Sequence, residues 1–380
     1  MKVLYDWQAF TRKYSGISKC FVELISNLPE TTEWHISIKD CNNFHLLEKK
    51  LCNVNTNVVN RDNFITDREF LFKKKLYRTV EKLFPNLTSE GRNFSYSVEC
   101  LVNNDYDVFH PTYFNEYFLK YIGKKPFILT VHDMIPETIP GYFKHDSQSR
   151  KKQHLAELAS HIVAVSEKTK YDLIRFFGLP EEKISVVYHG SPDILPYYKE
   201  KIFDFNYLLH IGERSRYKNF GPMLIHLAPF LRTHKDIKLV CTHDNFVSEE
   251  QKLIEKLGLK DSVVHVFADD VQLQNLYANA LCFLQPSLAE GFCIPILEAY
   301  KCKCPVFLNN KSVFPEIAQD AAIFFELDDD KQNLTEKLEE FLNFTSSQKE
   351  DLIKKQSERL ELFSWKKSAE KLNDIYKSVI

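Results

Sequence analysis

LQPSLAEGFCIPILEAYKCKCP, residues 284–305, is the stretch from which the rest of the chain can be read. It opens on the end of an apolar run, Leu281, Cys282, Phe283 and Leu284, the pattern of a buried parallel strand. Pro286 stops that strand, and Ser287 to Phe292 form a turn-prone loop. Pro295 suits the first helical position, where its missing N–H removes nothing and its φ is already helical. The unit is strand, loop, helix N-terminus, with Glu290 in the loop and Glu298 in or near the first helical turn. At the carboxyl end of a parallel strand such a unit turns backbone N–H groups and a positive dipole end toward a crevice. Carboxylates placed there accept hydrogen bonds from sugar hydroxyls while the N–H groups take an anion, and a nucleotide-sugar presents both. The plainer reading stands beside it: a first-turn Glu complements the helix dipole, and a loop Glu is solvated.

Length and composition bound the alternatives. The 380 residues suit two domains, each able to bury its own core. With 44% hydrophobic and 27% charged residues, the chain reads as soluble and globular. A net charge of -2 argues against a nucleic-acid binder. The nine cysteines are odd in number and lack paired C-x-x-C spacing. The lone C-x-C of Cys302 and Cys304 is too little for zinc, so a reduced, cytoplasmic setting is expected, with no metal site and no cofactor. MKVLYDWQAF reads as a first strand running into a loop rather than a signal peptide, and no apolar run reaches bilayer length.

Taken in order, residues 2–5 are the first strand, residues 6–15 a loop, and residues 18–28 a helix with its stripe at Cys20, Phe21, Leu24, Ile25 and Leu28. Strand, loop, Gly16 and helix open a doubly wound α/β sheet. Residues 34–38 are the second strand. Residues 63–84 read as one aromatic-rich helix carrying Lys73, Lys74, Lys75, Arg78 and Lys82. That charge run is either a solvated face or a peripheral contact to anionic lipid or a lipid-linked acceptor. His132 and Asp133 follow the buried strand 127–131, where His132 is either a core histidine or a site residue. Ser166 is an N-cap. Residues 193–206 form the interdomain linker. The second half restarts with strand 207–211, Gly212, the loop GERSRYKNF and a helix from about Gly221. Residues 328–330 read as capping charge at a helix start rather than a metal-binding D-x-D.

Several of these segments, in order, resemble retaining family 4 glycosyltransferases of GT-B fold. EGFCIPILEA is similar to their E-x7-E signature, usually E-G-F-G-L-P-x-L-E-A, with Cys293 in place of a Gly and Ile294 of a Leu. The resemblance implies that Glu290 contacts donor-sugar hydroxyls, that Glu298 binds the nucleotide ribose, and that Gly291, Phe292, Cys293 and Ile294 belong to the donor site. VHDMIPE resembles V-H-D-x-x-P, which puts His132 beside the donor sugar and lets Asp133 orient it or meet the acceptor. GERSRYKNF resembles the G-R-x…K-N element, whose Arg and Lys grip the donor phosphates. Lys218 aligns through Asn219, Arg214 is the better aligned arginine with Arg216 as its alternative, and Gly212 opens the loop. Ser15-Gly16 stands where the family carries Gly-Gly near the diphosphate. VFPEIAQDAAIFFE is similar to L-P-E-V-x-G-D-A-A, with Glu316 a helix-start residue, and the FSW tail resembles a terminal helix that crosses back onto the first domain.

What the resemblance implies is two Rossmann-like domains facing a central cleft. Residues 1–196 would bind acceptor and residues 197–362 a nucleotide-diphosphate sugar, with residues 363–380 returning to the first domain. The implied reaction is retaining, metal-independent hexosyl transfer in which His132, Glu290, Lys218 and Arg214 act on the reacting centre and the departing diphosphate. YDWQAFTRKYSGISK, FHPTYFNEYFL and VHDMIPE look most like mannosyltransferases of surface-polysaccharide assembly. GDP-mannose is therefore the first donor expected and a UDP-sugar the next, with a lipid-linked oligosaccharide or polysaccharide as acceptor at the cytosolic membrane face. A nucleotide-sugar epimerase or phosphorylase of the same fold, or a silent sugar-binding protein, is the alternative. Charge-assisted hydrogen bonds contribute about 1.5–3 kcal/mol each, so loss of Lys218 should weaken donor binding roughly tenfold to over a hundredfold.

Overall fold

The computed structural model describes all residues except 67, 69, 144–146, 193–200 and 329–330. The expected linker 193–206 and the Asp-rich residues 328–330 lie in part outside the described residues. The chain divides into two compact units. The first comprises Met1–His132, His145–Tyr188 and Trp365–Ile380; the second comprises Asp133–Lys144 and His189–Ser364.

In the first unit, six short strands are all parallel. They are β1 (Lys2–Tyr5), β2 (Glu33–Ile36), β3 (Val108–His110), β4 (Ile128–Val131), β5 (His161–Ala164) and β6 (Ile184–Val186). Two three-stranded ladders, β2-β1-β3 and β4-β5-β6, are joined by a parallel bridge between Phe109 and Phe127. The strands read as nearly unbroken apolar runs because helices cover both faces. These are α1 (Gly16–Ser26), α2 (Lys73–Leu83), α3 (Ser89–Asn103), α4 (Gln148–Leu158) and α5 (Glu167–Phe177). Cys20, Phe21, Leu24 and Ile25 of the expected stripe are buried on α1, whereas Leu28 lies beyond its end and is half-buried. Ser166 caps α5 by accepting the Thr169 N–H at 3.1 Å, and Gly178, at φ 65°, ends it in the left-handed conformation. The helix Trp365–Ser378 belongs to this unit. Its Tyr376 hydroxyl bonds both the Tyr5 hydroxyl and His110 Nδ1 at 2.6 Å.

One expected element is corrected. The helix expected over 63–84 begins only at Lys73. Residues 61–65 and 71–72 form turns and bends, with left-handed Ile65 (φ 66°) and Phe72 (φ 68°). Lys73 is not on the solvent face: it is 1% exposed, and its ammonium donates to the carbonyls of Asp62, Thr66 and Arg68. A helix through that segment would have satisfied those carbonyls itself; a buried cation does so instead.

The second unit contains β7 (Asn206–His210), β8 (Ile237–Cys241), β9 (Val263–His265), β10 (Cys282–Gln285), β11 (Val306–Asn309) and β12 (Ile323–Phe325). They form one parallel sheet in the order β12-β11-β10-β7-β8-β9. Its helices are α6 (Phe220–Thr233), α7 (Ser248–Lys256), α8 (Asp270–Asn279), α9 (Ile294–Lys301), α10 (Leu334–Leu342) and α11 (Ser346–Leu360). Leu208, Leu239, Leu284 and Phe307 from the strands pack with Met223, Leu224, Leu227 and Leu231 of α6 and with Leu338 and Phe341 of α10. Each such side chain contributes about 1.5–3 kcal/mol on burial. The strand order is that of a dinucleotide-binding sheet. It reverses between β7 and β10, and a crevice outside the carboxyl ends of these two strands is where such sheets bind ligands. The loops that follow them are GERSRYKNF and PSLAEGF.

Candidate active site

β7 ends at His210, and Gly212 turns the chain at φ 100°, a conformation open to glycine. A single 3-10 turn, Arg216–Lys218, then leads through left-handed Asn219 into α6. Across the switch point, Lys218 Nζ lies 2.7 Å from Glu290 Oε1. Both side chains are largely buried. Burial draws the Lys218 ammonium down, but the Glu290 carboxylate and the Tyr217 phenol more than offset it, so its pKa stands above the ordinary lysine value. The site thus holds a cation that stays charged throughout the physiological range, beside an acceptor-only carboxylate.

Arg214 does not join them. Its guanidinium is buried and donates to the carbonyls of Thr242 (2.7 Å), Asp244 and Asn245 (3.1 Å) and to Glu250 Oε1 (3.2 Å). It also lies 4.8 Å from the Phe246 ring centre. Arg214, of which a phosphate grip is expected, here braces the loops after β7 and β8. Arg216, at φ 52° and exposed, is the arginine that the same loop leaves at the surface.

The loop carrying Glu290 is fixed from three sides. Leu288 N–H donates to Tyr217 O at 2.8 Å. Buried Asn309, at the end of β11, donates to the Pro286 and Ser287 carbonyls at 3.1 and 3.3 Å. Ser312 Oγ accepts the Glu290 N–H and donates to the Glu290 carbonyl, both at 3.1 Å. Cys293 takes φ 74°, ψ 71° immediately before α9, and its Sγ accepts a hydrogen bond from Gln285 Nε2 at 3.3 Å. Burial, then the nearby Glu290 charge, pushes the Cys293 thiol up to about 12, so it is no thiolate nucleophile. Glu298 falls in the second turn of α9, later than expected, and its Oε2 accepts from the Tyr277 hydroxyl at 3.4 Å. His210, under this floor, meets the Leu284 carbonyl at 3.2 Å through Nδ1.

The remaining sequence-derived candidates sit elsewhere. Asp133 is in the second unit, where its Oδ1 accepts the Ile135 N–H at 3.1 Å. Gly16 is the first residue of α1 in the first unit, and a Cβ there would meet nothing within 4 Å. His132 follows β4 in the first unit and is edge-on to Phe21 of α1, with ring centres 5.7 Å apart. Burial pushes its imidazole down to about 4, so it is neutral at pH 7.

The profile described as "Glycosyltransferase Family 4" matches residues 65–193, and that described as "Glycosyl transferases group 1" matches residues 199–359. Both halves of the chain belong to glycosyltransferase families. The O-antigen chain mannosyltransferase RfbU of Salmonella typhimurium is 29% identical to this chain over 209 residues, 53% of this chain and 57% of the relative. The O-antigen chain mannosyltransferase B of Escherichia coli is 28% identical over 221 residues, 53% of this chain and 58% of the relative. The chain spans somewhat over half the length of these curated relatives. Among solved structures, Anabaena HepE in complex with UDP and glucose superposes with a TM-score of 0.70 at 16% identity, covering 100% of both chains. The lipopolysaccharide outer core galactosyltransferase WaaB gives 0.64 at 14% identity, also over 100% of both. These likenesses show the fold, two Rossmann-like domains of the GT-B class.

Sequence reasoning passed over four residues of this site. Ser312, Asn309, Gln285 and Tyr217 hold the Glu290 loop; the first three lie at strand ends or in loops, and Tyr217 sits between the cations of GERSRYKNF without having been singled out. A polar residue ending an otherwise apolar strand, as in CFLQ and VFLN, is the available signal: a buried amide there needs partners from the loops above.

Proposed function

We propose that the chain is a retaining hexosyltransferase that moves mannose from GDP-mannose, or failing that a hexose from a UDP-sugar, onto a lipid-linked glycan at the cytoplasmic face of a membrane. The observation that carries this reading is the Lys218–Glu290 pair at the β7/β10 switch point. One cation and one carboxylate at the carboxyl ends of reversed parallel strands match a diphosphate joined to a sugar. The mannosyl donor is supported by the O-antigen mannosyltransferase relatives.

In this reading Lys218 stays charged and counters the departing diphosphate, with Arg216 as the second cation. Glu290 accepts hydrogen bonds from sugar hydroxyls and so fixes the anomeric carbon, and Glu298 takes the ribose. Donor arrival divides Lys218 between Glu290 and phosphate without exposing either. Transfer breaks the bond from the anomeric carbon to the diphosphate oxygen and forms the bond to the acceptor oxygen on the same face, and the acceptor proton leaves with the diphosphate. Neutral His132 can donate or accept a hydrogen bond without bringing a charge. The advantage is electrostatic preorganisation, and protein cations serve where other enzymes use a metal ion.

The test is a nucleotide-sugar panel read by thermal shift and by nucleotide release, with and without EDTA. One nucleotide family should raise the melting temperature, because a ligand bound to the native state must stabilise it. Lys218→Ala should abolish that shift while the apo protein still melts cooperatively, and EDTA should leave turnover unchanged. The absence of any shift at millimolar ligand sinks the transferase reading; turnover of donor into an epimer, or only with phosphate, replaces it.

A further inference from the structure

Helix α2 carries a second surface with chemistry of its own. Tyr77 and Lys73 face inward, with Val80 and Glu81 half-buried beside them. Phe72, Leu76 and Leu83, spaced i, i+4 and i+11 with Thr79 between, form an exposed stripe on one side. Phe72 is 69% and Leu83 62% exposed, and Leu71, Phe84 and Leu87 extend the same apolar run at both ends of the helix. Lys74, Arg78 and Lys82, spaced i, i+4 and i+8, with Lys75 beside them, form an adjoining exposed cationic stripe. An open groove runs among Phe72, Lys74, Lys75, Arg78 and Leu83. The one acidic residue of the helix, Glu81, is turned inward.

Large apolar side chains this concentrated and this exposed are unusual on a free surface. Here they lie beside four cations on a chain whose net charge is -2. The three buried hydrogen bonds of the Lys73 ammonium hold the preceding turn, which presents Leu71 and Phe72 outward. No helix among the described residues is long and apolar enough to cross a membrane.

We propose that α2 and its flanks, from Leu71 to Leu87, dock on an anionic phospholipid bilayer, with Phe72, Leu76, Leu83 and Phe84 entering the acyl boundary and Lys74, Lys75, Arg78 and Lys82 meeting the head groups. Apolar area in the interface plane and basic residues at head-group level add in such binding. Each cation near an anionic surface is worth about fivefold in affinity, taken from ~1 kcal/mol per residue. The inference stands on this helix face and does not require the transferase reading.

The experiment is flotation of the full-length protein with extruded vesicles of phosphatidylcholine alone or with one third phosphatidylglycerol. The wild type should float with anionic vesicles and remain behind with the zwitterionic ones, and added salt should release it. Leu76→Ser with Leu83→Ser and Phe84→Ser, and separately Lys74→Glu with Lys75→Glu, should each lower retention at least tenfold while leaving the melting temperature and any nucleotide-induced shift intact. Wild type that ignores anionic vesicles, or either variant set floating like wild type, overturns the proposal. A wild-type dimer that the serine variant dissociates would instead assign this face to a second copy of the chain.

Discussion

Cys293 holds a side chain at φ 74°, ψ 71°, in the left-handed region that glycine enters freely. Such a residue outside glycine is strained by about 1–3 kcal/mol and persists where its surroundings fix it. Here the Gln285 amide grips the sulfur and Ile296 N–H bonds the Cys293 carbonyl at 3.1 Å. Cys293→Gly should therefore leave stability unchanged or raise it by up to about 1 kcal/mol, since relieved strain outweighs the added chain entropy. Cys293→Val should lower it by at least about 2 kcal/mol, because a β-branched residue resists positive φ. Urea midpoints of the two variants check this, and a clearly destabilised glycine variant would show that the thiol contact outweighs the strain. The position itself was legible, because the signature puts a glycine there. The partner that holds the cysteine was not, because Gln285 lies eight residues away on another element.

At the scale of the element, the Glu290 loop depends on β11 more than on its own sequence. Asn309 is fully buried and bridges two loop carbonyls, and Ser312 clamps the Glu290 peptide in both directions. Asn309→Ala leaves the Pro286 and Ser287 carbonyls without these donors, at about 1–3 kcal/mol. Ser312→Ala removes two hydrogen bonds near the surface and should change stability little. Both should lower kcat/KM by tenfold or more through loss of Glu290 alignment. A Ser312→Ala enzyme with wild-type kcat/KM would show that Glu290 needs no such clamp. Element positions were largely legible from apolar spacing: α1, α6 and the strands expected at 2–5, 34–38, 127–131 and 207–211 fall within two or three residues of where periodicity puts them. The start of α2 was not, because turns and helix compete closely there and the buried Lys73 ammonium decides between them.

At the scale of the whole molecule, His110, His132 and His210 are held neutral at pH 7 by burial. Burial, then the nearby His132, holds His110 down to about 3; burial alone holds His132 at about 4. Burial, with Arg214 and Lys218 adding to it, holds His210 at about 4. Unfolded histidine titrates near about 6.5. Between these values the unfolded chain binds more protons than the folded one, so stability is fully present above about pH 6.5 and is lost as pH falls toward 4. Each histidine contributes up to about 3 kcal/mol to that loss. Urea denaturation at pH 7.5 and pH 5 should show a marked fall, flattened in part by His210→Asn in the second unit. Equal stability at the two pH values would mean that these rings gain protons without unfolding anything.

The sequence by itself determined the α/β class, the doubly wound halves and the candidacy of Lys218, Glu290 and Glu298, because apolar periodicity, Gly and Pro punctuation and short motifs are local properties of the chain. Only the tertiary structure decided what each charge faces. Lys218 meets Glu290 across 72 positions, Arg214 is taken by Glu250 and three carbonyls after β8, and Lys73 is drawn inside by the turn before it. A cation has no preferred partner along the chain. Its role is set by whichever carbonyl or carboxylate the fold leaves unsatisfied within about 3 Å.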